Sequence, residues 1–332
     1  MGIDNMFPDF EEVHSAVTPH LDELESHRQD LIGQIKKHGL VTLGVILFSL
    51  LLIAFLPDAI VVVGGAFVIY LVFIAFKLYN RYQAFRLEFK EKVVATLSKQ
   101  ILDLSQLENE TEEYEYKCHY DHNRRVSDTH IYNSKLFPAR IDEIKGEDLF
   151  QGVLGLTDFQ FSEITLVEIR KSTNAKGHTT RKRVKLFDGI LFVADFHKDF
   201  DGITTLTSAN FVNNSFLGHF SLFSDLKKMD LESAEFNRAF HVRSTDETKA
   251  RYLLSSSMME RILQFKAQHH QKIEISFVNS RMCIALSSGK NYFEPSLFNP
   301  MDKQQTRSIY DDLTFFFGMI EEFDLNTRIW NK

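Results

Sequence analysis

Two apolar runs, GLVTLGVILFSLLLIAFL (39–56) and AIVVVGGAFVIYLVFIAF (59–76), flank Pro57-Asp58, and neither carries a charge. As one helix, Gly39 to Phe76 would be ~57 Å long against a hydrocarbon core of ~30 Å, with a proline near its middle. Split at Pro57-Asp58, each arm is about 27 Å long and fits. The pattern predicts a two-span transmembrane hairpin. Asp58 belongs at the turn, in the far interface, because an Asp at mid-membrane costs roughly 2.5–3.5 kcal/mol. Gly44 and Ser49 in the first arm, with Gly64, Gly65 and Ala66 in the second, would suit close backbone approach between the arms. A cleaved signal peptide fits poorly, since the first arm is too long, begins only at Gly39 and follows an acidic segment. A re-entrant hairpin that does not cross is the other alternative. Lys36 and Lys37 precede the first arm and Lys77, Arg81 and Arg86 follow the second, so both termini are expected on the cytoplasmic side.

Helical periodicity continues outside the arms. Residues 1–18 read as a loosely ordered terminus, and Thr18 with Pro19 reads as a helix start. Leu21, Leu24, Leu31 and Ile35 mark one face of a helix over 19–38. Tyr82, Phe85, Phe89, Val93, Leu97, Ile101 and Leu104 mark one over 77–108. Both leave the membrane on the same side, so they are expected to pack antiparallel as a stalk. Stripes lying on the bilayer surface are the competing reading, and the polar faces are too poor in Lys and Arg to favour it. The acidic NETEEYEY, residues 109–116, reads as a linker.

From 117 to 332 the period changes, and the expected fold class is α+β. FQFSEITLVEIR (159–170) and RVKLFDGILFVADF (183–196) predict a long antiparallel hairpin around a polar tip, Ser172 to Lys182, with a further strand near Ile203 to Leu206. Ser257 and Glu260 have capping-box spacing and predict a helix from Met258 to about His269. Asn279-Ser280 predicts a two-residue turn that sets Phe277 opposite Met282, Ile275 opposite Ile284 and Ile273 opposite Leu286, all on one face. A closing helix from Gln304 to about Asp324 would bury Ile309, Leu313, Phe316, Phe317, Ile320 and Phe323. A split into two subdomains near residue 225 and a small barrel both remain open.

Composition adds little beyond this. The chain of 332 residues has a formal net charge of −7, which argues against wholesale nucleic-acid binding. Its two cysteines, Cys118 and Cys283, do not make a disulfide framework. Thirty-one phenylalanines, few of them in the arms, imply an aromatic core in the soluble part.

Several short motifs occur in a fixed order: Ser134-Lys135-Leu136-Phe137, Gly146-Glu147-Asp148, Phe161-Ser162-Glu163, the run FDGILFVADFHKDFDGITTL and Phe293-Glu294-Pro295. With the membrane hairpin before them, these stretches resemble the bacterial domain-of-unknown-function 3137 family. The resemblance implies a bacterial inner-membrane protein with a cytoplasmic domain. It brings no catalytic residues with it.

Three groups of residues are candidates for chemistry. Asp195, His197, Asp199 and Asp201 alternate along an extended segment and could line one face as a metal site. The alternative buries Phe196 and Phe200, leaves the acids in solvent and turns the chain at Asp201-Gly202. Cys118, His119 and His122 offer zinc-ligand types without a second pair. There is no G-x-S-x-G and no phosphate loop, so no catalytic residue is assigned and no cofactor is expected. Lys171, Lys176, Arg181, Lys182, Arg183 and Lys185 concentrate positive charge at the hairpin tip, where contact with anionic lipid or another polyanion is the functional reading and a solvated, mobile tip the favoured one. Nucleic acid is disfavoured by the lack of stacking aromatics among them. The favoured reading is a membrane-anchored binding or scaffold module with an unidentified protein partner, self-association left open. A membrane-associated metal enzyme and an accessory subunit of a membrane complex are the alternatives.

Overall fold

The computed structural model describes residues 7–56, 58, 60–108, 114–137, 139–173, 177, 179–196, 200–209, 225–269 and 271–326. The chain divides into two compact units. One holds Asp9–Leu97 and Phe293–Tyr310, and the other holds Met1–Pro8, Ser98–Tyr292 and Asp311–Lys332.

The first unit is a helical hairpin with a strap. Helix α1 runs from Phe10 to Phe55 and α2 from Ile60 to Phe89, continuing through a π turn, Lys90–Val94, into α3, Ala95–Glu108. Ion pairs join α1 to α2 and to the π turn that follows it, Glu23 to Lys92 at 2.7 Å, His27 to Glu88 at 2.8 Å and Asp30 to Arg81 at 3.0 Å. Numbers rise on one helix as they fall on the other, so the stalk is antiparallel, as the stripes predicted. The helix starts at Phe10, not near Thr18. Phe10, Val13 and Val17 extend the stripe of Leu21 and Leu24 backwards and all are buried, which outweighs the interior Pro19.

The π turn has a physical reason in the sequence. Phe85, Phe89, Val93, Leu97 and Ile101 recur every four residues and all are buried. At 3.6 residues per turn a four-residue repeat drifts about 40° each step. One extra residue in a single turn takes back about 100°, so the stripe stays on one face.

The glycines of the apolar arms do not meet the facing helix. The half-covered positions between α1 and α2 are Thr42, Val45, Ser49 and Leu52 against Val63, Phe67, Tyr70 and Ile74, a spacing of three and four. Gly44, Gly64 and Gly65 lie off that seam, and an added Cβ at any of them meets nothing within 4 Å. Of the small residues expected to bring the arms together, only Ser49 is at the contact. Larger side chains set the spacing.

The second unit is built on one nine-stranded antiparallel sheet, ordered β1-β2-β3-β4-β9-β8-β5-β7-β6. Its strands are β1 Glu115–Asp121, β2 Glu143–Gly155, β3 Thr157–Thr173, β4 Thr179–Asp195, β5 Ile203–Ser208, β6 Lys227–Met229, β7 Phe240–Ser244, β8 Lys272–Val278 and β9 Arg281–Ser287. Among the described residues β1 and β6 are its edges, and strands from both sides of residue 225 share it. Glu115 and Tyr116, expected in a linker, are strand: Tyr116 pairs with Leu154 and is buried.

The β8–β9 hairpin has the predicted register, Phe277 with Met282, Ile275 with Ile284 and Ile273 with Leu286. Asn279 and Ser280 both take positive φ, 48° and 58°, as a type I′ turn requires. One face of the sheet is covered by phenylalanines of helix α8, Lys303–Glu322, with Phe316 and Phe317 against Phe161. The opposite face carries Leu149, Ile164, Leu191 and Val193 and is covered by α4, Asp128–Asn133, and the segment to Phe137. The six apolar residues assigned to α8 are all buried. Two short helices, α5 Ala234–Ala239 and α6 Glu247–Leu253, precede α7, Ser256–Gln268. The cap of α7 is Ser255, whose hydroxyl accepts from the Met258 N–H, rather than Ser257. The first of the three serines holds the extended backbone that a cap requires.

Candidate functional site

The motifs in which the resemblance lies act as staples. In Ser134-Lys135-Leu136-Phe137, the Ser134 hydroxyl donates to the Ile131 carbonyl, Lys135 takes φ 57°, and Leu136 and Phe137 are buried. Gly146-Glu147-Asp148 leads into a bulge in β2, where Glu147 faces Glu163 but Phe150 faces Phe161. Asp148, at φ 59° and fully buried, accepts from the Tyr120 hydroxyl. Ser162 accepts from the Val126 N–H at 2.9 Å and Glu163 from the Tyr292 N–H at 2.6 Å.

Glu294 belongs to the strap of the helical unit. Its carboxylate receives the Arg86 guanidinium through both oxygens and the Lys90 ammonium at 2.7 Å. Lys90 is 2% exposed and lies at the start of the π turn. Further along, the Leu297 carbonyl accepts from Arg28 at 2.9 Å and the Met301 N–H donates to Glu25 at 2.8 Å. Lys303 pairs with Glu11, and Tyr310 meets Phe10 edge-on at 5.4 Å. The Glu25 carboxyl is held at about 2, chiefly by its hydrogen bonds from Arg28, which outweigh burial, with help from Met301.

A groove of about 390 Å³ lies on the α4 side of the sheet, lined among others by Gln151, Asp158, Gln160, Val193, Asp195 and Arg281. The two-residue period puts these side chains of β2, β3, β4 and β9 on one face. At its rim Arg281 donates to His130 Nε2 at 2.7 Å, and His130 Nδ1 lies 2.8 Å from Ser127 Oγ. Arginine can only donate, so Nε2 is the bare nitrogen and Nδ1 carries the proton towards the serine. Burial, and then the Arg281 charge, lower the His130 pKa and keep the ring neutral. A serine nucleophile needs an imidazole acceptor, and this nitrogen donates. No motif marks this group, because Ser127 and His130, Gln160, Asp195 and Arg281 come from four separate segments.

Of the alternating acids, Asp195 lies 3.5 Å from Arg281 and Asp201 accepts from Lys249. Phe196 and Phe200 are buried. His197 and Asp199 lie outside the described residues. Cys118 and His119 are neighbours on β1 and point to opposite faces. Burial pushes both thiols, Cys118 and Cys283, up to about 12.

The basic hairpin tip is a ribbon that outruns the sheet. β2 pairs with β3 only up to Val167, and β9 with β4 only from Gly189, so Glu168–Thr173 and Thr179–Lys185 pair with each other alone. Lys171, Arg181, Lys182, Arg183 and Lys185 are exposed, while Lys176 lies outside the described residues. Arg183 pairs with Glu143 and Lys185 with Asp188.

Residues 185–325 match the family model described as "Protein of unknown function (DUF3137)". The stretch includes Phe293-Glu294-Pro295 and leaves the motifs between 134 and 163 outside it. Among curated proteins, none matches the chain. The crystal structure of the mycobacterial trehalose monomycolate transport factor A, TtfA, aligns at 9% identity over 59% of this chain and 88% of that one, with a TM-score of 0.28. A score that low does not establish a shared fold.

Proposed function

We propose that this chain, which belongs through residues 185–325 to the DUF3137 family of unknown function, is a membrane-anchored binding or scaffold module. Two uncharged helical arms hold its sheet domain at the cytoplasmic face of a bacterial inner membrane. The observation that carries the reading is the surface of the arms. Nineteen large apolar side chains between Leu40 and Phe76 are exposed. At about 1.5 kcal/mol each, leaving them in water would cost roughly 30 kcal/mol, more than the about 5–15 kcal/mol by which a protein is normally stable. Such a surface needs an apolar solvent, and two charge-free helices long enough to span a bilayer supply the fit. The basic flanks favour both termini in the cytoplasm.

A metal-centred enzyme is not supported by what Asp195 and Asp201 touch, and the Ser127–His130 pair has the wrong tautomer for nucleophilic catalysis. A module that presents a groove and a charged ribbon accounts for more of the chain. Membrane fractionation tests it. The protein should resist alkaline carbonate and leave the pellet only with detergent. Recovery in the aqueous supernatant without detergent would end this reading.

A further inference from the structure

The β3–β4 ribbon sets like charges opposite each other in two successive rows. Arg170 stands directly opposite Lys182, and Lys171 directly opposite Arg181, in consecutive rows. Like charges facing each other across an antiparallel pair are destabilising, and a two-stranded ribbon without a third strand has little stability to spare. Arg170 has Glu168 beside it and Lys171 lies within electrostatic reach of Asp142, while Arg181 and Lys182 form no ion pair among the described residues. Elsewhere on this acidic protein carboxylates are plentiful. A local conflict of this kind, only partly compensated within the fold, is where function is expected.

We infer that the ribbon is a finger for phosphate-bearing lipid headgroups, which supply the counter-charge its own rows lack. The alternation of side chains puts Arg170 and Lys182 on one face and Lys171 and Arg181 on the other. A ribbon lying flat would use one face only, whereas one entering end-on uses both. Ser172, Thr173, Gly177, Thr179 and Thr180 bring no large apolar group to the tip, so the contact stops at headgroup depth and is electrostatic. This inference rests on the membrane-anchored reading, because anchored helices keep an anionic surface always at hand.

The test uses the full chain reconstituted into vesicles of neutral lipid, or of neutral lipid with a third anionic phospholipid. A Thr173→Cys substitution carries an environment-sensitive fluorophore, quenched by headgroup-labelled lipid. Quenching should require anionic lipid and be lost at 1 M salt, where the screening length falls to about 3 Å. The triple variant Lys171→Gln, Arg181→Gln, Lys182→Gln should weaken the contact roughly a hundredfold, about fivefold per cation at about 1 kcal/mol each near an anionic surface. Its melting temperature should hold or rise, because the opposed charges are gone. Co-flotation with vesicles should not change, since the helices do the anchoring. Equal quenching on neutral vesicles, or loss of quenching by competition with single-stranded RNA while anionic lipid has no effect, would overturn the inference. Failure to co-float would sink the anchored reading instead.

Discussion

Glu294 shows what one side chain does here. Its carboxylate takes a bidentate guanidinium and a 2%-exposed ammonium from one helix. Removing one partner from a buried charge group typically costs about 3–5 kcal/mol, because the remaining charges stay buried. Glu294→Gln is therefore expected to lower the thermal midpoint in detergent by roughly 4–7 degrees, while Glu11→Gln, at an exposed pair with Lys303, should shift it little. Glu25 gives the strap a pH dependence of known sign. Its carboxyl falls from the usual 4.5 to about 2 in the folded protein. A depressed carboxyl contributes fully above pH 4.5 and loses that contribution as pH falls through 2. Pepsin should spare the strap at Leu297-Phe298 near pH 4.5 and begin to cut it as pH approaches 2. In Glu25→Gln the cut should come equally at both ends of that window.

At the scale of elements, the π turn makes the sharpest prediction. Deleting Glu91 removes the one extra residue, so Lys90–Val94 would close as an ordinary helical turn and the loss of about 100° of rotation would be cancelled by the loss of the turn that took it back. Leu97 and Ile101, both 0% exposed, would stay on the buried face. The deletion should therefore cost little more in denaturant unfolding than Glu91→Ala, under about 1 kcal/mol, and a loss of several kcal/mol would show that the π turn does more than keep the stripe in phase. The four-residue repeat that demands this turn was visible in the sequence, and so were the β8–β9 register and α8, because each is dictated by nearby residues. β1 was not legible. Its seven residues are mostly polar, and only pairing with β2 makes them strand. The start of α1 was hidden by Pro19, a local signal overruled by Phe10, Val13 and Val17 packing far from it in sequence. The strap has no periodicity at all. It is held by Glu294 on Arg86, 208 residues away, and no window along the chain contains both. The groove group of His130, Gln160, Asp195 and Arg281 was missed for the same reason, although Asp195 had been noticed for a different chemistry.

For the molecule as a whole, the decisive question is how often the chain crosses the bilayer. Two crossings put Asp58 outside and Asp22 inside, while a re-entrant hairpin keeps both on one side. Single-cysteine labelling separates these, and the protein's own thiols make it clean. Cys283 is buried and Cys118 half-buried, and both thiols are pushed up to about 12, so little thiolate is present at neutral pH to react; a Cys118→Ser background removes what the half-buried thiol would contribute. Asp58 and Asp22 are both exposed, so a cysteine at either should label normally once reached. With an impermeant maleimide on intact cells, Asp58→Cys should label and Asp22→Cys should not, the latter reacting only after lysis. The flanking cations argue for this arrangement energetically. Lys36, Lys37, Lys77, Arg81 and Arg86 would all have to be translocated in the inverted topology, against the bias that keeps such residues cytoplasmic, whereas the predicted one moves only the Pro57-Asp58 corner across. If Asp58→Cys labels only after lysis, the arms dip without crossing and the paired helices serve as a wedge in one leaflet.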